Sequence, residues 1–119
     1  DPTRGGLSQT LNEWASKSGL LLVVEERSIP LREEVRSFTE LLGVDPLSLA
    51  CEGRAVLGVD GSLAEEILEF IRSLGFEEAS IIGEAKESDK YSGVVVMRTS
   101  VGGLRILEPP TGVIVPRIC

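Results

Sequence analysis

The residue best placed to do chemistry in this chain is its last one, Cys119. It ends the stretch Glu108-Pro-Pro-Thr-Gly-Val-Ile-Val-Pro-Arg-Ile-Cys119, in which three prolines and a glycine discourage a helix. Pro109-Pro110 favours an extended, semi-rigid start. From Thr111 to Cys119 such an arm reaches roughly 30 Å when fully extended, enough to carry its end across a domain. A thiolate there is a strong nucleophile, and an acyl-type group bound to it is chemically activated. The adjacent α-carboxylate disfavours the thiolate by like-charge repulsion, and Arg117 partly offsets it. Two readings stay open on these grounds: a spare thiol that happens to come last, or a carrier thiol on a tether.

The rest of the inventory narrows the chemistry. The chain has no histidine, which removes the commonest general base and the commonest transition-metal ligand. Reactions must run on Cys, carboxylates, Lys, Arg or a bound cofactor. Arg4, Gly5 and Gly6 stand where a helix is expected to begin. Free backbone N–H groups and the helix dipole favour an anion there, and glycine permits close approach. The competing reading is packing, with two glycines letting a helix lie close to a neighbour. Cys51 reads as a small buried hydrophobe, although a disulfide to Cys119 is conceivable.

Nineteen acidic and twelve basic residues give a net charge of −7. With the basic residues scattered along the chain, that argues against a nucleic-acid partner. The longest apolar run, Leu20 to Val24, is far too short to cross a membrane. The first residues show no charged stretch followed by an apolar one, so no signal peptide is expected. The first residue is Asp1, so the chain is expected to be processed or cut from a longer protein.

The elements that must position these groups follow from periodicity. Thr3 is expected to cap a helix starting at Arg4 or Gly5, with Leu7, Leu11, Trp14 and Ala15 on its buried face and Gly19 as its stop. Leu20 to Val24 reads as a buried strand. Ser28 and Pro30 open a second helix with Leu31, Val35, Phe38 and Leu41 inward, ended by Gly43. Asp45-Pro46 starts a short helical turn through Leu49. Glu52 to Val59 reads as a strand, and Ser62 to Glu65 as a capping box for a helix carrying Leu63, Ile67, Phe70, Ile71 and Leu74. Ala79 to Ile82 is a short strand, Glu84 to Lys90 a charged loop, and Tyr91 to Thr99 with Leu104 to Leu107 a hairpin across Gly102-Gly103. The sum is an α/β (α+β) sandwich, with a mixed sheet and packed helices. Residues 1–108 form its body and 109–119 the tail.

Three segments carry a family resemblance: Asp1-Pro2-Thr3-Arg4-Gly5-Gly6-Leu7, the helix with Asn12-Glu13, and the terminus Pro116-Arg117-Ile118-Cys119. Together with Asp45-Pro46-Leu47 to Glu52-Gly53, they make the chain similar to the C-terminal third of hydrogenase maturation proteins of the HypE type. That family belongs to the superfamily of aminoimidazole ribonucleotide synthetase, selenophosphate synthetase and thiamine phosphate kinase. The resemblance implies the fold of the synthetase C-terminal domain. It also implies an N-terminal nucleotide-binding domain absent from this fragment.

The implied activity is a carbamoyl dehydratase. A HypF-type carbamoyltransferase loads a carbamoyl group onto Cys119; ATP with Mg2+, bound mainly by the missing domain, drives its dehydration to a thiocyanate. The cyanide passes to a HypC–HypD complex on the way to the nickel–iron centre. By position, Pro116, Arg117 and Ile118 place the thiol, and Glu52 is the carboxylate base. The family pattern has a small polar residue such as Asn before this Glu, where this chain has Cys51. Asp1, Thr3, Arg4, Gly5 and Gly6 are then nucleotide or phosphate contacts. A cytoplasmic homodimer is implied, with no resident metal in this domain. The reading from another class is a non-catalytic ligand-binding or subunit-interaction module.

Overall fold

The computed structural model describes residues 2–51 and 53–110. Helix α1 spans Gly6–Ser18 and ends where Gly19 takes a left-handed conformation (φ 71), its N–H returning to the Ala15 carbonyl. The expected stop is therefore in place. The start differs: the cap position is Gly5, also left-handed, and no side chain caps the helix, so Thr3 does not have the expected role. Of the expected buried face, Leu11 and Ala15 are buried and Leu7 is partly buried against the core, while Ser8 and Thr10 are buried beside them. Trp14 was expected in the core but lies 36% exposed. One residue before Ala15, it stands about 100° round the helix from the face that meets the sheet.

The sheet has four strands in the order β2-β1-β3-β4. Strand β1, Leu21–Glu25, is central and alternates, with Leu22 and Val24 buried. It runs parallel to β3, Val95–Arg98, with Leu22 opposite Val95 and Val24 opposite Met97. Parallel neighbours need a long crossover, and residues 26–94 supply it. Strand β2, Gly83–Lys86, pairs antiparallel on the other side of β1. Strand β4, Leu104–Ile106, pairs antiparallel with β3, completing the expected hairpin. The core is Leu11, Ala15, Leu22, Val24, Val95, Met97 and Leu107. Full burial of a side chain such as Val95 or Met97 stabilises by about 1.5–3 kcal/mol relative to exposure.

The fold class is the expected one, a mixed sheet with packed helices. Several elements sit elsewhere than the pattern placed them. Helix α2, Glu33–Leu42, begins after Pro30, and the residue it buries is Thr39. Phe38 and Leu41 of its supposed inner stripe are 61% and 82% exposed. Helix α3, Ala64–Ser73, follows a 3₁₀ turn whose cap is Asp60, not Ser62. The Asp60 carboxylate accepts from the Ser62 N–H at 2.8 Å and from its hydroxyl at 2.6 Å, and these bonds hold it below the usual carboxylate range. Ile67 and Ile71 are half-buried, whereas Leu63, Phe70 and Leu74 are exposed.

Residues 53–60 join no ladder, although their valines and leucine suggested a strand. Gly53 at φ 72 turns the chain, and Gly58 offers nothing to pack. The strand expected at Ala79–Ile82 lies further on, inside the expected charged loop. There Gly83 comes so close to the Val23 carbonyl that no side chain would fit. Glu84 and Lys86 pair at 3.0 Å on this exposed edge, and charge is a normal feature of edge strands.

Candidate functional site

The N-terminal end of α1 is a meeting point for three distant pieces of chain. The first is the arm Pro2–Gly5, whose Pro2 is buried. The second is Asp45–Cys51. It is shaped by a 3₁₀ turn at Pro46–Ser48, in which the Asp45 carboxylate accepts from the Leu47 N–H at 3.0 Å. The Cys51 N–H donates to the Pro2 carbonyl at 2.9 Å, tying these two pieces together. Gly6, at φ 63, makes the fit possible: a Cβ there would lie 2.3 Å from the Leu49 carbonyl oxygen and 2.5 Å from that of Leu47. A side chain at this position has no room.

The third piece is the root of the tail. The Leu107 side chain is buried in the core, and its N–H donates to the Val95 carbonyl at 2.8 Å. Its carbonyl accepts from the Asn12 amide of α1 at 2.9 Å. The same Asn12 Nδ2 donates to the Ser8 carbonyl at 2.8 Å, which fixes the amide. Two residues beyond Glu108, the Pro110 ring passes Gly5, 3.3 Å from where a Cβ would stand. Pro110, the last described residue, therefore lies beside Gly5.

Of the residues singled out in the sequence, the structure describes Thr3, Arg4, Gly5 and Gly6 together at this end of α1. Gly6 is buried, Thr3 and Gly5 half-buried and Arg4 exposed. Arg4 makes no side-chain hydrogen bond or ion pair among the described residues. Asp1, Glu52, Pro116, Arg117, Ile118 and Cys119 lie outside the described residues. The chain position just before Glu52, at Cys51, is the one pinned to Pro2. Among the described residues the Cys51 thiol has no disulfide partner; it is half-buried, 3.5 Å from the Leu49 carbonyl.

Sequence reasoning missed Asn12 and Ser8 as structural determinants. Asn12 was noticed only as part of a motif, yet an amide inside a helix next to a buried face was a usable signal. The Ser8 hydroxyl is fully buried and has no hydrogen-bond partner among the described residues. At the far end of β1, the Glu26 carboxylate accepts from the Ser100 N–H at 2.9 Å, and this bond draws its pKa below the ordinary value. Among the described residues no group of three Cys, Asp or Glu side chains could hold a metal ion. No helix of the described residues is long and apolar enough to cross a membrane.

Residues 1–96 match the family model of the AIR synthase related protein, C-terminal domain. The chain belongs to this family. The likeness to individual proteins extends over the whole chain. It is 44% identical over 121 aligned residues to carbamoyl dehydratase HypE of Cupriavidus necator, covering all of this chain and 34% of that protein. A crystal structure of hydrogenase maturation protein HypE in complex with ATP superimposes with a TM-score of 0.91 at 41% identity, over all of this chain and 36% of the other. A HypE–HypF complex gives 0.84 at 38% identity, over 92% of this chain and 35% of that one. The chain thus spans about a third of the length of the curated relatives it matches.

Proposed function

We propose that this chain is the C-terminal domain of an ATP-dependent carbamoyl dehydratase of the HypE type, and that Cys119 carries the group being dehydrated. The observation that carries the reading is the convergence at α1. The arm from Pro2 and the segment entering Glu52 are tied by the Cys51–Pro2 hydrogen bond and the root of the Cys119 tail to α1 by Asn12–Leu107, while Gly6 leaves the room for the Leu49 carbonyl to come close. Anchoring the base of a carrier arm with a reach of roughly 30 Å here keeps its cargo within range of these groups. The match to named carbamoyl dehydratases over the full chain supports the same assignment.

In this reading a HypF-type carbamoyltransferase places the carbamoyl group on the Cys119 sulfur, with Pro116, Arg117 and Ile118 guiding the thiol; a relative's complex with HypF supports that partner. ATP with Mg2+, when bound, supplies the phosphoryl group that turns the carbamoyl oxygen into a leaving group. The oxygen departs as phosphate, and the nitrogen gives up both protons. With no histidine in the chain, Glu52 accepts them in turn and passes them to water. The sulfur–carbon bond survives, leaving a thiocyanate whose cyanide goes to an iron-bearing HypC–HypD acceptor.

The start of α1 fits an anion. It has no side-chain cap, and Arg4 is exposed beside it. Carbonyl oxygens close off the Gly6 side, so a phosphate would approach across Arg4 and Gly5, beside Thr3; Asp1, the further contact in this reading, lies outside the described residues. The nucleotide itself is held mainly by an N-terminal domain, and the 119-residue chain alone is inactive. The complete protein is a cytoplasmic homodimer in this reading.

The test is Glu52→Gln in the complete protein after carbamoyl loading. Addition of ATP should leave the carbamoyl mass on the variant while the parent loses the equivalent of one water. Dehydration at the parent rate would remove Glu52 from the reaction.

A further inference from the structure

The basic residues are scattered in sequence, but the fold gathers three of them. Arg27, Arg32 and Arg54 line one open cleft of about 360 Å³, together with Pro30, Leu31 and Ser80. Arg27 comes from the 3₁₀ turn after β1, Arg32 from the approach to α2 and Arg54 from the segment after the Gly53 turn. One carboxylate, Glu78, shares the lining. Among the described residues, none of the three guanidinium groups has a carboxylate within ion-pairing distance. The ion pairs formed there are Arg36–Glu33, Lys86–Glu84 and Arg98–Glu25.

The protein contacts of these arginines are neutral. Arg27 Nη2 donates to the Ser100 carbonyl at 3.0 Å, and Arg54 Nη1 to the Pro30 carbonyl at 3.3 Å. Each bond orients a guanidinium without neutralising it, and each leaves the other N–H groups of the fork available. The Arg32 side chain makes no hydrogen bond among the described residues; only its backbone carbonyl is engaged, accepting from the Arg36 N–H at 3.0 Å. In a chain with nineteen acidic residues and a net charge of −7, this is a locally positive cleft on an acidic molecule.

We propose that this cleft is a docking site for an acidic protein segment, whose carboxylates pair with Arg27, Arg32 and Arg54 while its stem lies on Pro30 and Leu31. The observations favour a peptide over a small anion. All three arginines are exposed, and a small ion at an exposed guanidinium gains little against water. A segment with several carboxylates engages the whole row at once and also covers the apolar floor. The overall negative charge of the chain would repel such a partner at long range, so recognition depends on close contact and on this cleft alone. The inference stands independently of the carbamoyl chemistry.

The test is fluorescence anisotropy of the complete protein with a labelled hexaglutamate peptide. The parent chain should bind saturably at low ionic strength and more weakly at about 0.15 M salt, where exposed charges are screened beyond about 8 Å. The triple variant Arg27→Gln, Arg32→Gln, Arg54→Gln should lose at least about tenfold in affinity. Arg32→Glu alone, at a side chain the fold does not use, should weaken binding by a similar order and keeps the test valid if the triple variant fails to fold. A control, Lys17→Gln, Lys86→Gln, Lys90→Gln, changes the net charge by the same amount and should bind as the parent does. Absence of binding by the parent, unchanged affinity of Arg32→Glu, or an equal loss in the lysine control would overturn the proposal. Displacement of the peptide by inorganic phosphate at matching concentrations would also overturn it, in favour of a small-oxyanion site.

Discussion

The Asn12 amide nitrogen lies 2.9 Å from the Leu107 carbonyl oxygen, joining residues that stand 95 positions apart in the chain. This bond links helix α1 to the point from which the Cys119-bearing tail departs. It is also part-buried, so neither group has a ready substitute in water.

Asn12→Ala is therefore expected to destabilise the domain by about 1–3 kcal/mol, because the Leu107 carbonyl is left without its partner. Chemical denaturation measures the loss. Asn12→Asp should be worse near neutral pH than Asn12→Ala, since a carboxylate would face two carbonyl oxygens. Equal stability of parent and Asn12→Ala would show that the clamp is not maintained in solution.

Gly6 has the least tolerance of any glycine in the proposed site. An alanine there meets the Leu47 and Leu49 carbonyl oxygens and must also adopt a left-handed backbone, which alone costs on the order of 1–3 kcal/mol. Gly6→Ala should lower the denaturation midpoint by more than Gly5→Ala, which shares the left-handed backbone but whose nearest obstacle is the Gln9 Cβ at 2.6 Å rather than two backbone carbonyl oxygens at 2.3 and 2.5 Å. The reverse ranking would mean that the turn at Pro46–Ser48 can retreat from α1.

Ser8 gives a prediction of opposite sign. Its hydroxyl is buried without a partner among the described residues, a costly arrangement. Ser8→Ala should leave stability unchanged or raise it by about 1 kcal/mol, read as an increase in melting temperature. A marked decrease would reveal a partner for the hydroxyl.

Glu26 contributes a pH-dependent term. Its folded pKa is lowered, first by the hydrogen bond from the Ser100 N–H. Its stabilising effect is thus complete above the unfolded value near 4.5 and fades as pH falls through the lower folded value. Glu26→Gln should be less stable than the parent near neutral pH, with the gap closing in acid below the unfolded value. A gap that stays constant across that range would contradict the assignment.

The legibility of the fold followed burial. Helix α1 and its Gly19 stop, strand β1, the turn at Asp45-Pro46 and the β3–β4 hairpin could all be read, because their apolar spacing or turn residues have a local cause. Trp14, Phe38, Leu41 and Phe70 could not be placed, since a helical stripe states that a face is apolar but not what covers it. Strand β2 escaped because an exposed edge strand carries Glu84 and Lys86, and its pairing partner is sixty residues away in sequence, a relation no local pattern encodes. In the site, the Asp-Pro-Thr-Arg-Gly-Gly arm and the terminal Cys were conspicuous as residue types. The joining of the arm to Cys51 and Leu49 was not, because a backbone hydrogen bond and the missing Cβ of Gly6 leave no compositional trace; only the Asn12 amide, which reaches Leu107, left a usable one.

The most direct measurement is the intact mass of the complete protein after incubation with its carbamoyltransferase and carbamoyl donor, followed by ATP. The sulfur-carrier account predicts an increment of one carbamoyl group located on the peptide ending in Cys119, loss of one water from that peptide once ATP is added, and neither change in Cys119→Ala. A carbamoyl increment that persists in Cys119→Ala, or that maps to any other residue, would contradict it.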